Sequence, residues 1–202
     1  MEEKNKKFGL IGKKIDYSFS QSFFQKKFKK ENILNCSYEN FDIESIEDIK
    51  NVFDLKNIHV LNVTIPYNET IIKYLDNLDP ISEKIGAVNT ICFDNQRKTI
   101  GYNTDCYGFD VTLKPFIKKK IKKALVLGTG GASKAVKYIL DKHEIKTTFV
   151  SRTPVGTQIS YNEIDKNILI ENKLIVNCTP VGTYPNVKES PNINYSLLSS
   201  NN

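Results

Sequence analysis

The segment from Ala124 to Lys142 constrains the fold more than any other part of this sequence. Four apolar residues, Ala124-Leu-Val-Leu127, run directly into Gly128-Thr-Gly-Gly-Ala-Ser133, and a helical pattern follows from Lys134 to Lys142. Apolar strand, glycine turn and helix in that order form the dinucleotide-binding arrangement. The glycines let backbone approach a pyrophosphate, and the helix N-terminus supplies N–H donors. Gly128, Thr129, Gly130, Gly131 and Ala132 are therefore the candidate phosphate-holding residues. The third position of the fingerprint is Ser133, where Gly or Ala is usual, a small change in side chain; the competing reading is a chance glycine turn.

The next apolar strand, Thr147 to Val150, ends in Ser151-Arg152-Thr153. An NAD site would show Asp or Glu there for the ribose hydroxyls. Arg152 can instead make charge-assisted bonds to a 2′-phosphate, with Ser151 and Thr153 as further donors, which favours NADP. An ordinary solvated arginine is the alternative.

A second informative block runs from Gly86 to Gly108. Asn89-Thr90 and Asn103-Thr104-Asp105 bracket the run Ile91 to Tyr102, which reads as a hairpin. A turn at Asn95-Gln96 would set Val88 opposite Asn103 and put both polar clusters on one edge. A carboxylate, amides and hydroxyls gathered there can hydrogen-bond a small polyhydroxylated ligand, and Asp105 can hold or move a proton. Either cluster alone is equally the chemistry of strand ends and helix caps.

Elsewhere the pattern is β-α-β-α-β-α: strands near Phe8–Gly12, Ser37–Phe41 and Ile58–Ile65, with helices over 20–30, 45–55 and 69–78. Asp48, three after Ser45, gives a short-armed capping box. A helix from Tyr107 to Leu113, stopped by Pro115, leads to a second β-α-β series. The expected fold is two α/β domains: 1–105, a substrate-binding domain with a parallel sheet, and 106–202, a Rossmann-type nucleotide-binding domain. In such sheets ligands sit beyond the carboxyl ends of strands, here near Ser18 and Ser20, Thr64, Gly128, Ser151 and Thr179.

At 202 residues, 40% hydrophobic and 26% charged, the chain has the composition of an ordinary globular protein. Its net charge of +6 would suit an anionic cofactor. The basic run Lys118 to Lys123 lacks zinc spacing, helix-turn-helix cues and aromatic interleaving, so a nucleic-acid partner is not expected. No apolar stretch reaches the ~20 residues that span a bilayer, so no membrane partner is expected. Four cysteines without CxxC pairing point to a reducing cytoplasm. His59 and His143 have no ligand-spaced neighbours, so no metal is expected.

These blocks together resemble the shikimate dehydrogenase family. Gly9-Leu-Ile-Gly12 with Ser18 and Ser20 is similar to its opening loop, Asn62-Val-Thr-Ile-Pro66 to its N-V-T-x-P, and Gly86-Ala-Val-Asn-Thr90 to its G-A-x-N-T. Gly101-Tyr-Asn-Thr-Asp105 with Gly108 matches G-x-N-T-D-x-x-G. Gly128 to Ala135, Ser151-Arg-Thr153 and Asn177-Cys-Thr-Pro-Val-Gly182 resemble its nucleotide loop, N-R-T and N-x-T-x-x-G.

The resemblance implies NADPH-dependent reduction of 3-dehydroshikimate to shikimate, in the pathway to chorismate and the aromatic amino acids, by a monomer or homodimer. It implies that Ser18 and Ser20 hold the substrate carboxylate, that Thr64, Asn89 and Asp105 hold its hydroxyls, that Thr179 lies at the cofactor, and that Asp105 is half of a catalytic pair. The other half, a lysine two residues after the proline of N-V-T-x-P, is Asn68 here. Members of the family also continue beyond the position of Asn202, so a C-terminally truncated chain is expected. The alternative is an impaired or inactive homologue that binds NADP or shikimate without turnover.

Overall fold

Leu10 and Ile11 are adjacent in sequence and both buried, so they pack on opposite faces and their strand must lie inside a sheet covered on both sides. The computed structural model, which describes residues 5–117 and 121–198, builds that sheet. The chain divides into two units, Met1–Thr104 and Asp105–Asn202. Three of the lysines in the basic run, 118–120, and the last residues, 199–202, lie outside the described residues.

The first unit contains β1 (Lys6–Gly12), α1 (Ser20–Lys30), β2 (Cys36–Asp42), α2 (Ile49–Phe53), β3 (Ile58–Val63), β4 (Asn77–Leu78), α3 (Pro80–Ile85), β5 (Thr90–Phe93) and β6 (Thr99–Tyr102). Its six strands run in the order β2-β1-β3-β5-β6-β4. β1 is parallel to β2 and β3, whereas β5 is antiparallel to both β3 and β6. On one face Leu10, Ile15 and Tyr38 pack with Phe24 and Phe28 of α1. On the other, Ile11, Ile49, Leu61, Ile71 and Ile91 form the larger core.

The second unit contains α4 (Asp105–Ile117), β7 (Lys123–Leu127), α5 (Gly131–Lys142), β8 (Lys146–Val150), α6 (Lys166–Glu171) and β9 (Leu174–Asn177). Its sheet is parallel, in the order β8-β7-β9, so chain order reverses at β7. Leu125, Leu127, Val150 and Leu169 form the core beneath it. α4 and α5 are tied where Asp110 meets His143 Nε2 at 2.5 Å and Lys142 Nζ at 3.4 Å.

Three expectations are corrected. The segment 69–78 is not one helix: a 3₁₀ segment, Thr70–Tyr74, gives way to β4, because Asp76 accepts the Thr99 N–H and hydroxyl at 2.8 Å each and draws the chain onto β6. Pro115 does not stop its helix, which continues to Ile117. The missing N–H removes only the bond to the Val111 carbonyl, and Val111 is 48% exposed, so solvent can serve that oxygen. The hairpin closes on a three-residue loop: Phe93 faces Thr99, Asp94 N–H... Lys98 O is 2.9 Å, and Arg97 takes a left-handed φ of 64°. That loop shifts the pairing by one residue from the expected register. Arg97 then donates to the carbonyls of Ile58, Phe53 and Leu55 at 2.7–2.9 Å, pinning the hairpin tip to the α2–β3 connection.

Candidate active site

In the first unit the loop after β1 is shaped by backbone contacts. Asp42, at the end of β2, accepts the Lys14 and Ile15 N–H groups at 2.9 and 3.0 Å. The Ser18 N–H reaches the Ile15 carbonyl at 2.9 Å, and the Ser20 N–H reaches Ser18 Oγ at 3.3 Å. The loop passes Thr64 closely: a Cβ added to Gly12 would stand 2.5 Å from Ile15 Cγ2 and 2.7 Å from Thr64 Cγ2. Only glycine fits there. Thr64 itself is held just past β3 by its N–H on the Ile11 carbonyl, 2.9 Å away.

The two polar clusters of the hairpin do meet. Asn89 Oδ1 accepts the Thr104 N–H at 2.9 Å and the Thr104 and Thr90 hydroxyls at 3.1 Å each. With three donors on its oxygen, the Asn89 amide is left with its NH₂ for a ligand. Asn103, buried, donates to the Ala87 carbonyl at 3.0 Å and so is a structural tie. Asp105 follows Thr104 directly and opens α4, where a carboxylate is favoured by the helix dipole.

Asn68 has a fixed task. Its Nδ2 donates to the Val63 carbonyl at 2.9 Å and the Val88 carbonyl at 3.1 Å, while the Asn68 backbone carbonyl receives the Val88 N–H at 2.8 Å. Both N–H groups of the amide are spent on backbone, and the two acceptors fix which way the amide faces. Only Oδ1 remains to meet a ligand.

In the second unit the candidate cofactor residues follow three parallel strands at one edge, since Leu127 is in register with both Val150 and Asn177. Gly128 has φ +100°, and a Cβ on it would meet Thr179 Cγ2 at 3.0 Å and the Cys178 carbonyl at 3.2 Å. A Cβ on Gly130, by contrast, would meet nothing within 4 Å, which leaves an open cradle before α5. Ser133 is buried and donates through Oγ to the Gly130 carbonyl at 2.7 Å, so the unusual third position braces the turn. Thr129 and Ala132 are exposed, and the first turn of α5 carries no acidic residue to repel a phosphate.

Ser151 is buried and its Oγ accepts the Thr153 N–H at 3.2 Å, turning the chain so that Arg152 and Thr153 are exposed. Thr179 donates to Asn177 Oδ1 at 2.6 Å, and Asn177 reaches the Val181 carbonyl at 3.1 Å. Open space at Gly130, the unopposed start of α5 and an exposed Arg152 fit an adenine dinucleotide carrying a 2′-phosphate.

Sequence reasoning missed Asp42 and Tyr38. Neither stands in a glycine- or threonine-marked block, and only the strand pairing brings them to the first loop. The four cysteines are free, and burial pushes the Cys178 thiol, beside the candidate cofactor residues, up to about 11. It stays protonated near neutrality, so it is no thiolate nucleophile. Among the described residues no group of three or more His, Cys, Asp or Glu could hold a metal ion, and no helix is long and apolar enough to cross a membrane.

The family described as shikimate dehydrogenase substrate binding domain matches residues 10–91. The chain is 40% identical over 204 residues to a shikimate dehydrogenase (NADP(+)) of Clostridium botulinum, an alignment that covers 96% of this chain and 78% of that protein. Among solved structures it is similar to shikimate dehydrogenase 1 of Peptoclostridium difficile, with TM-score 0.76 and 38% identity over 95% of this chain and 73% of the other. It is also similar to shikimate 5-dehydrogenase of Thermus thermophilus in complex with NADP(H) and shikimate, with TM-score 0.75 and 28% identity over 96% and 75%.

Proposed function

The chain belongs to the shikimate dehydrogenase family, and from that membership we propose that it interconverts 3-dehydroshikimate and shikimate with NADP, in the route to chorismate and the aromatic amino acids. Relatives carry NADP(+) in their names, and one solved neighbour holds both NADP(H) and shikimate. The observation that carries the reading for this chain is the parallel strand edge at which Gly128, Ser151 and Thr179 follow β7, β8 and the end of β9. The four free cysteines support a reducing, cytoplasmic setting.

The first unit is the substrate half and the second the cofactor half. Gly128 to Ala132 would take the pyrophosphate, Arg152 with Ser151 and Thr153 the 2′-phosphate, and Thr179 the rim beside Gly128. NADPH, when bound, supplies the hydride. Ser18 and Ser20 would hold the ring carboxylate, and Thr64 and Asn89 the ring hydroxyls. Asp105 carries the proton: its carboxyl protonates the oxygen of the reduced ketone, and its carboxylate takes the same proton back when shikimate is oxidised. Asn68 contributes no proton and no donor, because both its N–H groups are bound to Val63 and Val88. Turnover therefore rests on Asp105 alone and is slow. Purified protein given shikimate and NADP should produce the absorbance of reduced nicotinamide; silence at high enzyme concentration, from both this chain and its Asn68→Lys variant, would reject the proposal.

A further inference from the structure

We propose that Asp42 is a positioning residue for the substrate carboxylate, its two oxygens holding the backbone of the first loop in the shape that presents Ser18 and Ser20 to that anion. The inference rests on the assignment of the substrate site above and adds a residue that acts on the ligand only through the loop. Asp42 is the last residue of β2, and in the parallel pairing it stands opposite Gly12, the last residue of β1. The loop therefore leaves its strand beside the carboxylate. Oδ1 accepts the Lys14 N–H at 2.9 Å and Oδ2 the Ile15 N–H at 3.0 Å.

The backbone at this point needs holding. Lys14 takes a left-handed φ of 54°, which residues with a Cβ rarely adopt. Two hydrogen bonds to a charged acceptor stand against that cost, and such bonds are stronger than neutral ones. An amide could not replace them both. Asparagine has one side-chain oxygen, and its NH₂ would face one of the two N–H groups.

Ile15 passes the constraint on. Its side chain is 1% exposed and packs with Leu10 and Tyr38, its N–H is on Asp42, and its carbonyl accepts the Ser18 N–H at 2.9 Å. Ser18 Oγ in turn accepts the Ser20 N–H at 3.3 Å. A hydroxyl that accepts still has its own proton to give, so Ser18 retains an O–H for a carboxylate. The links from Asp42 to both serines are thus contiguous. Charge alone predicts the opposite influence: a negative side chain beside a loop that grips an anion repels that anion, so its removal should tighten binding. Positioning predicts weaker binding, and the sign separates the two.

The test is calorimetric titration of the full chain with shikimate, with the methyl ester of shikimate, which lacks the anionic carboxylate, and with NADP. In Asp42→Asn the shikimate Kd should rise about tenfold, the size of one lost hydrogen bond to a charged group, while the ester and NADP stay within about twofold. The preference of the unsubstituted chain for the acid over the ester should fall by the same factor. Asp42 is exposed, so the substitution opens no cavity, and Asp42→Ala should repeat the pattern. Equal losses for acid and ester would mean a general role in the fold, and unchanged or tighter shikimate binding would mean that the charge outweighs the shape. Either result would overturn the role of Asp42 and leave the substrate site standing. An unsubstituted chain that binds NADP but no shikimate would overturn the substrate assignment and this role with it.

Discussion

The two half-sites are built from different materials. The proposed cofactor half is made mainly of backbone: glycines at 128 and 130, the start of α5, and strand ends in register, with the exposed Arg152 proposed as a charged group that reads the phosphate. The proposed substrate half is made of side chains that hydrogen-bond one another, Tyr38 through Asn62 and Thr90 to Asn89 and Thr104. Backbone sites announce themselves in sequence, because few residues but glycine allow them. Side-chain networks recruit members wherever the sheet brings them.

Substitutions should separate the two kinds of site. The largest effect is expected for Asp105→Asn, which removes the proton carrier: kcat should fall about 10²–10⁴-fold with the affinity for NADP little changed. In the opposite direction, Asn68→Lys supplies an ammonium with three donors, and steady-state kinetics should show the rate rising by at least about tenfold; an unchanged rate would overturn the proposal that Asn68 slows turnover. Arg152→Ala should raise the Kd for NADP by about 10–100-fold and leave NAD within about twofold, and equal losses would show that Arg152 does not read the phosphate.

Gly128→Ala tests the backbone half directly. A methyl at φ +100° and 3.0 Å from Thr179 should destabilise the chain, by about 1–3 kcal/mol in denaturant unfolding. The smallest effect concerns acid. The hydrogen bond to His143, aided by Lys142 and Lys114, holds the Asp110 carboxyl below its usual value. A group whose folded pKa is depressed stabilises above its unfolded pKa and loses that contribution as pH falls. Stability should therefore drop as pH descends below about 4, and Asp110→Asn should flatten that slope.

The nucleotide turn was legible because strand, glycines and helix follow in one continuous stretch and Ser133 is small enough for its place. The hairpin was legible in existence and wrong in register, since nothing in Asn95-Gln96 reveals that Arg97 will take a left-handed conformation and lengthen the loop. Residues 69–78 carry a helical apolar spacing, but a tertiary pair, Asp76 with Thr99, overrides it. Asn68 was recognisable as a replaced lysine. That both its amide protons are already committed could be seen only once Val63 and Val88 were placed beside it. Tyr38 and Asp42 had no local signal, for their roles arise from strands that pair across the sheet.

The most direct test of the account is calorimetric titration of the folded protein with NADP and with shikimate in turn. One molecule of each should bind, NADP more tightly than NAD. Folded protein that takes up neither would contradict the assignment of both half-sites.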